Sequence, residues 1–324
     1  MRGSYEVVVR NSRVQFKLTV NRNLTILRGD SATGKTTLIT MVADYEELGR
    51  ESGVEVRCER PCVTLSGRGW RQKLASVSSS IVFIDEGNSF TSTDEFAGAI
   101  RDTDNYYVIA CREALAQLPY SVDEVYGIRN TGRHAQKYRG ITRYYSSTYR
   151  IYQHGDLIGG DAAPDEVIVE DSGSGFEFFR ALCARSGVRC VAAGGRSNVY
   201  RALLASEAAR PLVVADGAAF GPEMERVLML CRHRGVTLYL PESFEWLLLS
   251  SGLVRNDELP AILADPGAFI ESRDYFSWER FFFATLSAMT RGTRLQYGKG
   301  SMSGEWLSDG ALSAVAAVMP ATGL

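Results

Sequence analysis

The residues from Gly29 to Thr37 have the types and spacing needed to bind a phosphate group. Two glycines separated by four residues are followed at once by Lys35 and Thr36, which is the Walker A pattern. The glycines let backbone N–H groups converge on phosphate oxygens. Lys35 adds a positive charge, the Thr36 hydroxyl suits Mg²⁺, and the next helix directs its positive end at the anion. The predicted ATP site consists of Gly29, Asp30, Ser31, Ala32, Thr33, Gly34, Lys35, Thr36 and Thr37.

Two acids and one arginine further along the chain could complete this site. Asp85 and Glu86 follow the apolar run from Ile81 to Ile84, which is typical of a strand buried on both faces. This is the Walker B form, and we expect its strand to lie beside the phosphate-loop strand. Asp85 would hold Mg²⁺, and the predicted catalytic residues are Glu86, which would orient or deprotonate the attacking water, and Lys35. Arg112 ends the next apolar strand and is either a contact for the γ-phosphate or a surface arginine.

A second set of acids follows strands in the other half of the chain. Glu170 and Asp171 end one predicted strand, Asp216 ends another, and Glu242 follows a third. The carboxyl ends of parallel strands meet at one edge of a sheet, so these acids should lie close together. We predict that Glu170 and Asp216 hold Mg²⁺ or Mn²⁺ and act in phosphodiester cleavage. The alternative is that these acids only cap helices or serve as solvent-exposed polar residues at the ends of loops.

The spacing of apolar residues predicts the elements that position these groups. Residues 1–150 alternate strands and helices around the phosphate loop, residues 151–165 form a linker, and residues 166–255 contain four βα units. Such units build a parallel sheet covered by helices. Residues 256–324 form a helical C-terminal extension whose apolar helix, Phe276 to Met289, would pack or form a dimer surface. The predicted fold class is α/β, with a P-loop NTPase domain, a smaller parallel α/β domain and a helical C-terminal segment.

The stretch from Asn130 to Gly160 changes to arginine, tyrosine, serine and glycine. Interleaved cations and aromatic rings can contact phosphates and stack on bases. The same composition also fits a linker or a contact between subunits. One of its arginines could act on the ATP of a neighbouring subunit.

The composition of the chain indicates its cellular compartment and the classes of partner it could have. The net charge of −2 gives no overall basic excess that would indicate nucleic acid. The simplest interpretation of the six scattered cysteines is that they are buried thiols in a reducing compartment. No apolar run approaches the roughly 20 residues of a membrane span, and no signal-type segment opens the chain. We therefore expect a cytoplasmic protein with ATP and a second copy of itself as partners, and nucleic acid or another protein as further candidates.

Two parts of the chain resemble known families. The segments Gly29–Thr37 and Ile81–Glu86 resemble the P-loop ATPases of the ABC and AAA-like classes. The segments Val167–Phe176 and Val213–Gly221 are similar to a Toprim domain, and an ATPase followed by Toprim is the order of the OLD-family nucleases and of related anti-phage proteins. The resemblance implies that Glu170 is the Toprim glutamate and Asp216 the first aspartate of its Asp-x-Asp pair.

The position of the second Toprim aspartate is occupied by Ala218. The leading hypothesis is an ATP-hydrolysing switch coupled to a Toprim-like, metal-dependent nuclease in nucleic-acid processing or phage defence. The alternative is an ATPase that gates a catalytically inactive Toprim-like domain, which binds a protein or another ligand. A receiver-like domain with Asp216 as phosphoacceptor is a third hypothesis, weakened because no lysine ends a fifth strand.

Overall fold

The computed structural model describes residues 1–29, 33–135, 142–152, 163–298 and 300–324. The chain forms two compact units. Unit 1 comprises Met1–Tyr152 and Gly267–Phe276, and unit 2 comprises Gln153–Pro266 and Ser277–Leu324. The predicted site residues Asp30, Ser31 and Ala32 lie outside the described residues. Within the described ranges, no helix has both the length and the apolar character required to cross a membrane.

Unit 1 is built on a nine-stranded mixed sheet. Its strands are β1 Tyr5–Arg10, β2 Val14–Val20, β3 Leu24–Leu27, β4 Glu55–Arg57, β5 Cys62–Thr64, β6 Ile81–Ile84, β7 Tyr106–Ala110, β8 Val125–Ala135 and β9 Thr142–Arg150. Its α-helices are α1 Lys35–Leu48, α2 Trp70–Ala75 and α3 Asp94–Arg101. A hairpin precedes the phosphate loop, because β1 and β2 pair antiparallel.

The central strands of unit 1 are buried on both faces. In β6, Ile81 and Phe83 pack into one apolar cluster, and Val82 and Ile84 pack into another, as expected because successive side chains of a strand point to opposite faces. The sheet order is β4-β1-β2-β9-β8-β3-β7-β6-β5. The expectation that the strand before Asp85 lies directly beside β3 is wrong, because β7 lies between β3 and β6 and pairs parallel with both.

The interpretation of the arginine- and tyrosine-rich stretch as a linker is wrong for its described residues. Strands β8 and β9 pair antiparallel from Tyr126↔Arg150 to Ala135↔Thr142. They lie inside the sheet, where β9 pairs with β2 and β8 with β3. Their alternation of polar and aromatic residues fits a strand pair with exposed faces, which lacks the apolar periodicity that marks buried strands.

Unit 2 contains a four-stranded parallel sheet in the order β11-β10-β12-β13. Its strands are β10 Glu166–Val169, β11 Arg189–Ala192, β12 Pro211–Val214 and β13 Thr237–Tyr239, with a small hairpin of β14 Tyr297–Gly298 and β15 Ser301–Met302. Its α-helices are α4 Ser174–Ser186, α5 Val199–Ala205, α6 Met224–Cys231, α7 Phe244–Ser250, α8 Leu259–Ala264, α9 Trp278–Thr290 and α10 Asp309–Ala316.

The order of strands in unit 2 creates a crevice at one point of the sheet. The chain leaves β10 for β11 on one side and later places β12 on the other side. Ligands of open parallel sheets bind at the carboxyl ends of strands where the order reverses in this way. Glu170 follows β10 and Asp216 lies two residues beyond β12, so the topology brings both acids to that crevice.

Candidate functional sites

The backbone of the phosphate loop depends on two glycines. Gly29 follows β3 with φ of 132°, and Gly34 precedes α1 with φ of 97°. Residues with side chains rarely adopt such values. A Cβ at Gly34 would also lie 3.1 Å from the Phe16 ring. The sequence therefore needs glycine at position 34 both for conformation and for space.

The ammonium group of Lys35 is held inside the loop. The side chain is buried, and Nζ donates to the Gly29 carbonyl at 2.5 Å and to Thr33 Oγ1 at 3.4 Å. The Glu86 carboxylate is 3.9 Å away. Lys35 is thus placed between the loop that would bind phosphate and the acid that would act on it.

The hydroxyl of Thr36 meets the first acid after β6. Thr36 Oγ1 donates to Asp85 Oδ1 at 3.3 Å, and Asp85 Oδ1 also accepts from the Glu86 N–H at 2.9 Å. Both predicted Mg²⁺ ligands therefore offer oxygen atoms at one place. This pair fits Mg²⁺, which binds proteins through one or two side chains together with substrate phosphates and water.

Glu86 has two carboxylate oxygens with different surroundings. Oε1 accepts from Arg112 Nε at 3.1 Å and from Arg112 Nη2 at 2.7 Å. Oε2 is buried and accepts no hydrogen bond from the described residues. The hydrogen bonds from Arg112 lower the pKa of Glu86 below its usual value, and the positive charges of Arg112 and Lys35 act in the same direction. Glu86 is therefore ionised at neutral pH, with one oxygen anchored and the other available.

The predicted residues Lys35, Thr36, Asp85, Glu86 and Arg112 thus form one connected group in unit 1. Thr37 is exposed on the first turn of α1. The group contains the predicted phosphate loop, a cation, two hard oxygen donors and an ionised carboxylate, which are the kinds of group that phosphoryl transfer to water uses.

A second candidate site is a pocket of about 420 Å³ in unit 2. Its walls include the turns after β10, β11 and β12, with glycines at 173, 175, 194 and 195. Five carboxylate residues line it: Glu170, Asp171, Asp216, Glu245 and Glu279. The pocket lies at the crevice that the strand order predicts.

Glu170 and Asp216 are connected through the backbone. The Asp216 N–H donates to Glu170 Oε2 at 3.1 Å, and Asp216 Oδ1 accepts from the Phe244 N–H at 2.9 Å. Burial raises the pKa of Glu170 to about 7, and the charge of Glu279 adds to this. Burial also raises the pKa of Asp216, as do the charges of Glu279, Glu170 and Glu245. The pocket therefore concentrates negative charge or retains protons.

Sequence reasoning missed three of the residues that line this pocket. Glu245 lies in α7, Glu279 in α9 and Tyr297 in β14, far from Glu170 along the chain. Tyr297 donates from its hydroxyl to Glu245 Oε1 at 2.8 Å. The only available signal was that both glutamates lie in the first turns of predicted helices, which is common in any protein.

Two acids predicted at this edge, Asp171 in the pocket wall and Glu242, have structural roles. Asp171 accepts from the N–H groups of Gly173 and Gly175, so it caps the start of α4, as the alternative interpretation expected. Glu242 is buried and does not line the pocket. Ala218 is buried and donates its N–H to the Glu242 carbonyl at 3.0 Å.

The donors of this pocket match a divalent cation only partly. Carboxylates suit Mg²⁺ and Mn²⁺ in charge and atom type. Among the side chains in the described ranges, however, no group of three or more His, Cys, Asp or Glu residues could hold a metal ion. Metal binding by Glu170 and Asp216 therefore stays a prediction.

Comparison with models of known protein families found no match, and comparison with curated protein sequences found no significant match.

Proposed function

We propose that this chain binds Mg·ATP in unit 1 and hydrolyses it. The observation that carries the proposal is the convergence of Thr36 with Asp85 and of Lys35 with Glu86. These four residues come from two separate sequence segments and supply the phosphate contacts, the oxygen donors and the base that ATP hydrolysis requires.

In the proposed reaction, Glu86 Oε2 accepts a proton from the water that attacks the γ-phosphorus, and the bond from that phosphorus to the β–γ bridging oxygen breaks, so that ADP leaves with the bond's electron pair. This oxygen is buried and accepts no hydrogen bond from the described residues, so no protein donor has to be displaced from it. Arg112 holds Oε1 and thereby fixes the orientation of the carboxylate. Lys35 exchanges its contact with the Gly29 carbonyl for phosphate oxygens. Thr36 and Asp85 would hold Mg²⁺, which would supply positive charge to offset that of the phosphates.

The test compares Mg·ATP binding by calorimetry with steady-state turnover. Lys35→Ala should lose most of the affinity for Mg·ATP, because it removes the cation of the loop. Glu86→Gln should keep the affinity and lower turnover by about 10²- to 10⁴-fold, the usual contribution of a general base. Absence of Mg·ATP binding in the unaltered protein would overturn the proposal, and so would full turnover in Glu86→Gln.

Glu95→Gln is the matched control for Glu86→Gln. Glu95 is an exposed glutamate of unit 1 that pairs with Arg71, as Glu86 pairs with Arg112. Its replacement should leave both binding and turnover unchanged. An equal loss in both variants would mean that the effect of Glu86→Gln is not specific to the site.

For unit 2 we propose an output site that the ATP-dependent unit controls. The adjacent carboxylates of Glu170 and Asp216 favour the Toprim-like nuclease hypothesis. The buried Ala218 and the lack of a third arranged ligand among the described side chains favour the alternative, in which the pocket binds a protein or another ligand without catalysis.

A cleavage assay separates these two hypotheses. The full chain is incubated with Mn²⁺ and plasmid or single-stranded DNA, beside Glu170→Gln. Cleavage that requires Mn²⁺ and is lost in Glu170→Gln supports the nuclease. Absence of cleavage, or cleavage that survives Glu170→Gln, removes the nuclease hypothesis.

A further inference from the structure

The segment 125–154 has an unusual charge distribution within this nearly neutral protein. It contains six Arg or Lys residues, six tyrosines and no Asp or Glu. Its described part forms β8 and β9. An antiparallel strand pair with cations and without acids attracts polyanions, whatever their sequence.

The β8–β9 ribbon continues beyond the parallel core of the sheet. Strand β3 pairs with β8 only at Val125 and Tyr126. From Gly127 to Ala135 the described partner of β8 is β9 alone. On the other side of the ribbon, β9 stays paired with β2 from Tyr144 to Ser147. Beyond Tyr126 the side of β8 that faces away from β9 therefore has no strand partner among the described residues, and Arg129, Asn130 and Thr131 are exposed there.

One face of the ribbon combines cations with aromatic rings. Cross-strand pairing places Gly127 opposite Tyr149 and Arg129 opposite Ser147, and opposite residues of a strand pair share a face. The Tyr149 ring is 41% exposed, and the Arg129 guanidinium lies 5.5 Å from its centre. Tyrosine and arginine planes arranged in this way are surfaces on which bases stack.

The cations of this face lack acidic partners among the described residues. Arg143 lies six residues before Tyr149 in β9 and so on the same face of the strand. Arg129 makes no ion pair with the described residues, and the buried Nε of Arg143 has no hydrogen-bond partner among them. By contrast, the exposed Arg71 of the same unit pairs with Glu95. Arg129 and Arg143 therefore retain charge that an external anion can neutralise.

We propose that the β8–β9 ribbon binds single-stranded nucleic acid through phosphate contacts from Arg129 and Arg143 and base stacking on Tyr149. Single strands are favoured over duplexes because an unpaired base can reach the tyrosine ring. The surface requires no base-specific contact, so DNA and RNA of one sequence should both bind. This proposal does not depend on ATP hydrolysis, because neither Lys35 nor Glu86 belongs to the ribbon.

The test measures fluorescence anisotropy of a labelled oligonucleotide of about 20 nucleotides, longer than the typical site of one binding domain. The full chain is titrated at several salt concentrations between about 50 and 200 mM. The double variant Arg129→Gln with Arg143→Gln should bind on the order of tenfold more weakly at low salt. The slope of log K against log salt should become shallower by about 1.4, since each lost contact to a single strand contributes about 0.7.

Arg71→Gln is the matched control. Arg71 is also exposed and also lies over an aromatic ring, 5.0 Å from the centre of Trp70, but Glu95 already neutralises it. This variant should keep the affinity and the salt slope of the unaltered protein. Thermal unfolding of all variants verifies that they fold.

Three results would overturn the proposal. The first is no binding of single-stranded DNA or RNA at low salt. The second is unchanged affinity and slope in the double variant, or an equal loss in Arg71→Gln. The third is tighter binding of a duplex of the same sequence, which would point to shape-based recognition of double strands.

Discussion

The carboxylate of Glu86 lies between two cations that affect it differently. Arg112 donates two hydrogen bonds to Oε1, whereas Lys35 lies 3.9 Å from Oε2. The arginine thus sets both the orientation and the pKa of the group. From the sequence, Arg112 is either a γ-phosphate contact or a surface arginine. At the scale of single residues, its two hydrogen bonds to Glu86 favour a role in positioning that carboxylate.

Replacing Arg112 should change the pH dependence of ATP turnover. Arg112 lowers the pKa of Glu86, so Arg112→Gln should raise it toward the usual value. A base must be deprotonated to act, so the acidic limb of kcat/KM should move to higher pH. Turnover at neutral pH should fall about 10- to 100-fold, because a hydrogen bond to a charged group contributes about 1.5–3 kcal/mol. The measurement is kcat/KM between acidic and neutral pH.

Arg71→Gln serves as control for this prediction, since Arg71 pairs with Glu95 away from the phosphate loop. Its pH profile should coincide with that of the unaltered protein. A profile of Arg112→Gln with an unshifted acidic limb would show that Arg112 does not act through Glu86.

At the scale of elements, the β8–β9 ribbon depends on a close approach of Tyr149 to the β8 backbone. The ring lies over Gly127, and a Cβ at that position would be 2.5 Å from the ring. Glycine weakens a strand by itself, but it allows another group to pack closely on the backbone. The pair Gly127 and Tyr149 therefore explains both the glycine in β8 and the orientation of the tyrosine.

The prediction for this pair is a double-mutant cycle. Gly127→Ala should lower the free energy of unfolding by about 1–3 kcal/mol, because the added methyl group overpacks the contact. In a Tyr149→Ala background the same change should cost clearly less, because the ring is gone. Urea denaturation of the four proteins gives the values. Equal costs of Gly127→Ala in both backgrounds would contradict packing of the Tyr149 ring on Gly127.

At the scale of the whole molecule, unit 1 is completed by a segment distant in sequence. Gly267–Phe276 belongs to this unit, and Ser272 in it makes hydrogen bonds to three separate parts of unit 1. Its N–H donates to the Met1 carbonyl at 2.9 Å, its carbonyl accepts from Asn23 Nδ2 at 3.0 Å and its hydroxyl donates to the Asp104 carbonyl at 2.9 Å. Phe276 is buried in the cluster that contains Ile84 and Tyr107.

Phe276→Ala should therefore weaken unit 1 by about 3–5 kcal/mol, the usual cost of removing a buried phenylalanine. Hydrogen exchange should show faster exchange in β6 and β7, with the strands β10 and β12 of unit 2 unaffected. Phe269→Ala is the control, because Phe269 lies in the same segment but is 38% exposed. It should change stability by less than about 0.5 kcal/mol. Equal acceleration in both units would contradict the assignment of Phe276 to the core of unit 1.

The sequence by itself determined most of the elements and the residues that begin the first site. Strands such as β6 and helices such as α1 and α9 lie close to their predicted positions, because local apolar periodicity specifies them. The glycine spacing around Lys35 likewise predicted a turn between β3 and α1. These features depend on neighbours along the chain, which a sequence displays directly.

Only the tertiary structure decided how the elements are arranged. It placed β7 between β3 and β6, and it inserted the ribbon into the sheet. It also brought Glu245 and Glu279 to the pocket of Glu170. Strand order and side-chain convergence depend on packing between distant segments, and exposed strands rich in tyrosine and arginine lack the periodicity that marks a core. Such contacts follow from three-dimensional packing, which local patterns do not encode.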